Sequence, residues 1–272
     1  MASNELNRRD ALRFAGLAAG AFFAGGSLEA FAAEKAASGD VWKYVVVDPR
    51  QVAETTYESY AAGRCMYATF KGIVYNVGLA LEKTDPIAAA PILGFPYYMM
   101  KYGDGGANGW GSLCGSLNGA MAAISLFVAD SKKRKALCDE IANYYEQTMF
   151  PIYVPANDDF GAMPQTISGS ILCHVSSGKW AALAQKRTDS PERSERCSRM
   201  SADVARKTAE ILNLNIGTAA ALEAAPVVSL QRREPSATCA SCHDKGKKNS
   251  DVIGKMSCGE CHDQAVDHAA KK

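Results

Sequence analysis

The fold class follows from Gln51–Leu81, QVAETTYESYAAGRCMYATFKGIVYNVGLAL. Its large apolar residues, among them Tyr57, Tyr60, Tyr67, Phe70, Val74 and Val77, recur at the three- and four-residue intervals that place them on one face of a helix. Working outward, the glycine-rich run Gly103-Asp104-Gly105-Gly106-Ala107-Asn108-Gly109-Trp110-Gly111 predicts a turn before a second helix through Leu113 to Phe127. Lys132 to Met149 reads as a third helix. Ser190-Pro191 supplies an N-cap with proline at the first helical position, opening a helix that runs to about Leu214. Proline and glycine punctuate Pro151 to Leu183, which carries no clear period. The chain is therefore expected to be mainly α, a helical domain followed by a short C-terminal segment.

That segment, 231–272, carries two CxxCH motifs: Cys239-Ala240-Ser241-Cys242-His243 and Cys258-Gly259-Glu260-Cys261-His262. In each, two thiols are placed to add across the vinyl groups of a haem, with a histidine placed to bind the iron. Two Cys pairs also suit a zinc ribbon, but that reading leaves both adjacent histidines without a role. Two covalent haem c groups are the expectation. The segment has few large apolar side chains, so the porphyrins themselves are expected to form its core.

The N-terminus points to the same compartment. Asn7-Arg8-Arg9-Asp10-Ala11-Leu12-Arg13-Phe14 is a twin-arginine start, followed by an Ala-, Gly- and Phe-rich run and by Ala30-Phe31-Ala32 with small residues where a signal peptidase reads. Residues 1–32 are thus expected to be a cleaved Tat signal and not an anchor, because a span needs about 20 apolar residues. Haem is attached to CxxCH outside the bacterial cytoplasm, so a periplasmic location satisfies both observations. The Tat route moves folded proteins, often with a cofactor already loaded. Haem attached after export is not that cofactor, which directs attention to a second one.

With 30 basic and 29 acidic residues the chain is near neutrality, which argues against nucleic-acid binding. No long apolar run follows the signal, so no membrane anchor is expected in the mature chain. Lys245, Lys247, Lys248 and Lys255 cluster between the haem motifs. They form either a solvated face or a surface that steers an acidic redox partner.

The chain has four histidines, and two haems with bis-histidine ligation require four. His243 and His262 are proximal by their place in the motifs, leaving His174 and His268 for the distal positions. His268 follows His262 too closely to reach round the same haem. It is expected to serve the haem on Cys239 and Cys242, or one on a neighbouring chain. Met256 is the competing distal ligand and would raise the potential.

Nine cysteines less the four of the haem motifs leave Cys65, Cys114, Cys138, Cys173 and Cys197, an odd set. Spacing alone reads these as buried free thiols that pack as small hydrophobes. Small residues around Cys114, from Gly109 to Ala120, let backbone N–H groups approach a bound cluster. The glycine-rich turn lacks the GxxxxGK pattern of a phosphate loop.

The run from Cys65 through Gly109–Gly119, Ser168–Cys173 and Cys197 with its helix resembles the C_GCAxxG_C_C family. With the Tat signal and the two CxxCH motifs, the whole chain is similar to the split-Soret cytochromes c. That resemblance implies a helical homodimer with haems gathered at one end near the subunit contact, and an iron–sulfur centre, [2Fe-2S] or another type. By position the family cysteines fall on Cys65, Cys114, Cys173 and Cys197, with Cys138 a bystander. Around Cys114 the chain departs from the pattern: Leu113 stands for Gly, Gly115 for Ala, and Gly119 comes one residue late. A cluster assembled in the cytoplasm would account for Tat export. If Cys173 binds it and His174 binds haem iron, the two centres lie within short tunnelling range.

Two functional classes follow. An electron carrier for periplasmic redox partners needs every haem position filled, as four histidines permit. A haem-based reductase needs one position open.

Overall fold

The longest element, α1 (Pro49–Glu82), begins where Asp48 accepts the Arg50 N–H at 2.8 Å and Pro49 fixes the first turn. In this computed structural model, which describes residues 41–229, 236–243, 246–247, 255–259 and 261–262, α1 is the spine. Tyr60, Phe70, Val74 and Val77 are buried, and Tyr57 and Tyr67 half-buried, as the periodicity predicts. One feature departs from it. Arg64 has φ 63° and ψ −164°, which breaks the hydrogen-bond ladder and divides α1 into two helices. Glycine is the residue that adopts this torsion cheaply, so an arginine there gave no signal in the sequence.

After α2 (Pro86–Leu93) and a 3-10 turn (Tyr97–Gly103) come α3 (Gly115–Phe127) and α4 (Ser131–Gln147). The third helix expected to reach Met149 stops at Gln147, because Met149–Phe150 pairs antiparallel with Thr166–Ile167 as a two-residue ladder. The segment left unassigned holds α5 (Cys173–Ala184), whose apolar residues do not line one face and so gave no period. The long helix α6 (Pro191–Ile216) is capped by Ser190, whose Oγ accepts the Arg193 N–H at 3.2 Å. It packs along α1, which α3 crosses on another side. Phe70, Ile73, Val77, Leu117, Ile124, Leu137, Ile141, Val204 and Leu212 fill the shared core.

The α1–α3 crossing depends on absent side chains. A Cβ on Gly119 would sit 2.7 Å from the Met66 carbonyl oxygen, and one on Gly115 would meet the Cys65 sulfur and the Gly103 carbonyl. These small residues therefore let two helix backbones approach, a role distinct from admitting N–H groups to a cluster.

At the far end Lys133, buried on α4, donates from Nζ to the carbonyls of Asn215 (3.2 Å), Ala221 (2.7 Å) and Leu222 (2.7 Å). It thereby joins the end of α6 to α7 (Ala219–Glu223). The chain then passes α4, where Glu140 accepts the Ser229 N–H at 3.0 Å. The C-terminal segment includes α8 (Ser236–His243). It returns to α4 through the Lys255–Asp139 ion pair at 2.5 Å and the Ser257 N–H on Glu146 at 3.4 Å. Among the described residues no helix is long and apolar enough to cross a membrane. The expected signal, 1–32, lies outside the described residues.

Candidate metal centre

Cys65, Cys114, Cys173 and Cys197, far apart in sequence, line one pocket. Backbone geometry explains how. Residues 111–114 run antiparallel to 171–174: Cys173 N–H donates to Ser112 O at 2.7 Å, Cys114 N–H to Ile171 O at 2.9 Å, and Leu113 opposes Leu172. This pairing sets Cys114 at the N-cap of α3 beside Cys173, the first residue of α5. The break at Arg64 makes Cys65 the opening residue of the second half of α1, and Cys197 lies in the second turn of α6. Three of the four thiols thus sit at helix starts, where the backbone dipole favours negative sulfur. None of the nine cysteines is in a disulfide.

As free thiols Cys65, Cys114 and Cys173 are held neutral. Burial first, and then the neighbouring cysteines, push Cys65 well above its ordinary range. Burial also raises Cys114, against the pull of the Tyr145 hydroxyl and of the Ser116 and Leu117 N–H groups, and takes Cys173 to about 12.

Tyr60, Tyr145, Ser176, Arg193, Arg196 and Met200 also line the pocket, with Asp104 and Gly105 at its edge. Arg196 Nε is buried without a hydrogen-bond partner among the described residues, and the buried Tyr145 hydroxyl is directed at Cys114 and Ser176. Sequence reading missed both. The available signal was Arg193 and Arg196 at helical spacing just before Cys197.

Buried polar groups without partners are uncommon, and here one lies in a pocket lined by four thiols. As the side chains stand, no three His, Cys, Asp or Glu among the described residues converge tightly enough to grip one metal ion. A single tetrahedral ion would need every sulfur about 2.3 Å from it. A cluster of several irons, with bridging sulfides between, holds its cysteines further apart. Four thiols from separate elements lining one pocket are a donor set that suits a thiolate-bound centre. Cys138 is half-buried on α4, outside the pocket lining, and burial pushes it up to about 11.

The haem motifs lie elsewhere in the fold. In the first, Cys239 and Cys242 are three apart on α8, so both thiols share a face, with His243 closing the helix. In the second, the Cys261 and His262 N–H groups bond Cys258 O at 3.2 and 3.0 Å, a helix-like turn of the same sense. Cys242, Cys261 and His262 are exposed; Cys239, Cys258 and His243 are partly so. His174 is exposed on the main body beside Cys173, its N–H bonded to Gly111 O at 3.0 Å. Among the described residues no hydrogen bond or ion pair joins it to either motif. His268, Lys245 and Lys248 lie outside the described residues. Lys247 and Met256 are exposed, and Lys255 is engaged by Asp139.

A family model described as a putative redox-active protein, C_GCAxxG_C_C, matches residues 88–211, a span that holds Cys114, Cys173 and Cys197 but not Cys65. The split-Soret cytochrome c of Desulfovibrio desulfuricans is 35% identical over 275 residues, covering 94% of each chain. A solved structure reported as a novel iron centre in the split-Soret cytochrome c from that organism superposes with a TM-score of 0.72 at 34% identity. The match covers 82% of this chain and 90% of that one.

Proposed function

Because the chain belongs to the split-Soret cytochrome c family, we propose that it is a periplasmic electron carrier with two covalent haem c groups and an iron–sulfur centre in the four-cysteine pocket. The observation that carries this reading is the convergence of Cys65, Cys114, Cys173 and Cys197 from four separate parts of the chain. Bound haem and iron–sulfur groups supply one-electron chemistry.

The protein's part is to hold and insulate. Helix starts at Cys65, Cys114 and Cys173 favour thiolate, and burial keeps water from the sulfurs. On the tail, Cys239 and Cys242, and Cys258 and Cys261, hold the thioether links, with His243 and His262 as proximal ligands. His174 and His268 take the distal positions, the first being exposed and so able to meet a haem from its own tail or from a dimer mate. The twin-arginine start supports export by Tat, and the family supports a homodimer.

Four tests apply together to protein purified without oxygen. Mass spectrometry should show two added macrocycles. Total iron should exceed the haem iron, with acid-labile sulfide present in stoichiometric amount. Carbon monoxide added to the reduced protein should not bind; rapid binding at one haem would mean an open position and a reductase. A low-spin bis-histidine spectrum should be lost in part in His174→Ala, and its retention removes that residue from the ligand set.

A further inference from the structure

We propose that Arg196 is the fixed countercharge of the four-cysteine pocket and sets the reduction potential of the centre bound there. The inference rests on the iron–sulfur reading above.

The guanidinium is 1% exposed, yet no carboxylate among the described residues pairs with it. Its Nη2 donates to Ser176 Oγ at 2.9 Å, its Nη1 lies 3.9 Å from Cys197 Sγ, and its Nε has no partner. The nearby acids are otherwise placed. Glu195 accepts from Arg199 at 2.7 Å and Tyr57 at 3.0 Å, Asp203 accepts the Ile152 and Tyr153 N–H groups with Arg206 3.8 Å away and Arg196 in electrostatic reach, and Asp104 lines the pocket near Cys65.

Arg199, three residues on along the same helix, makes the contrast plain. Its side chain is as deeply buried, at 2%, and is matched by two carboxylates, Asp158 and Glu195. A buried cation without a counterion is strongly unfavourable. Of the described groups that bear on Arg196, Cys197 and Cys114 are the ones a bound metal would make negative, because metal ligation deprotonates a thiol outright. The unpartnered Nε is then a donor awaiting sulfur.

An adjacent cation favours whichever oxidation state is more negative. Reduction adds one electron to the centre, so Arg196 raises its potential. In Arg196→Gln the iron-loaded protein should show a lower midpoint potential by EPR-monitored dithionite titration, and Arg196→Lys should stay near the wild type. A second readout separates charge from packing. Arg196→Gln should lower the Tm of the iron-loaded protein but raise that of protein stripped by a chelator, where the cation has nothing to face. An unchanged potential in fully loaded Arg196→Gln, a Tm shift of one sign in both forms, or failure of the stripped variant to fold would overturn the proposal. Wild-type protein without non-haem iron sinks the underlying reading instead, and the stripped-form comparison alone then decides whether Arg196 is an unmatched buried charge.

Discussion

Asp203 should make the protein less stable as pH rises through the weakly acid range, and Asp203→Asn should remove that dependence. The carboxyl is 1% exposed on α6. Its Oδ2 accepts the N–H groups of Ile152 (2.7 Å) and Tyr153 (3.2 Å), while Oδ1 accepts no hydrogen bond and has Arg206 3.8 Å away. Burial dominates over those bonds and over Arg206 and Arg196, raising its pKa from 3.8 to about 6. Between those values the folded chain keeps a proton that the unfolded chain has released. Stability is therefore highest below the lower value, declines through the window, and is flat above the upper one. A shift of roughly two units at about 1.4 kcal/mol each amounts to about 3 kcal/mol. The assay is the urea midpoint at a series of pH values between 4 and 7, on as-purified wild type and Asp203→Asn. Asparagine keeps an acceptor for the two N–H groups and drops the charge, so its curve should run flatter across the window. An identical slope in both proteins would refute the reasoning.

Gly119→Ala places a methyl 2.7 Å from the Met66 carbonyl oxygen and 3.1 Å from the Phe70 nitrogen, groups of the α1 backbone that cannot rotate away. Alanine gains about 1 kcal/mol of helix propensity, but overpacking costs about 1–3 kcal/mol. A net loss of stability with reduced non-haem iron per chain is expected, and an unaltered urea midpoint would contradict the close crossing. Lys133→Met leaves the carbonyls of Asn215, Ala221 and Leu222 without their shared donor. The cost should be about 2–4 kcal/mol, and a Tm within a degree of the wild type would show the clamp to be idle.

What could be read from the sequence is what has a period or a pattern. The α1 face from Tyr57 to Val77, the Ser190 cap and the two CxxCH motifs each carry their signal locally. The pocket does not. Its cysteines meet because residues 111–114 pair with 171–174 and because α1 breaks at Arg64, and neither event has a mark in composition. Resemblance alone gathered those four residues beforehand. Helix α5 escaped notice because Ser176, Ser177 and Gly178 interrupt any apolar stripe. Arg196 escaped because an arginine between Glu195 and Cys197 looks like an ordinary exposed helix position until burial is known.

Seen from the core, α1 is one rod; seen from the pocket, it is two. Were Arg64 to relax to a helical torsion, the downstream half would swivel about the upstream half and carry Cys65 away from Cys114, Cys173 and Cys197. The fourth thiol is held in place by a backbone torsion that costs about 1–3 kcal/mol. The position of Cys65 thus hangs on one backbone torsion, whereas Cys114 and Cys173 are placed by the pairing of 111–114 with 171–174 and Cys197 by α6.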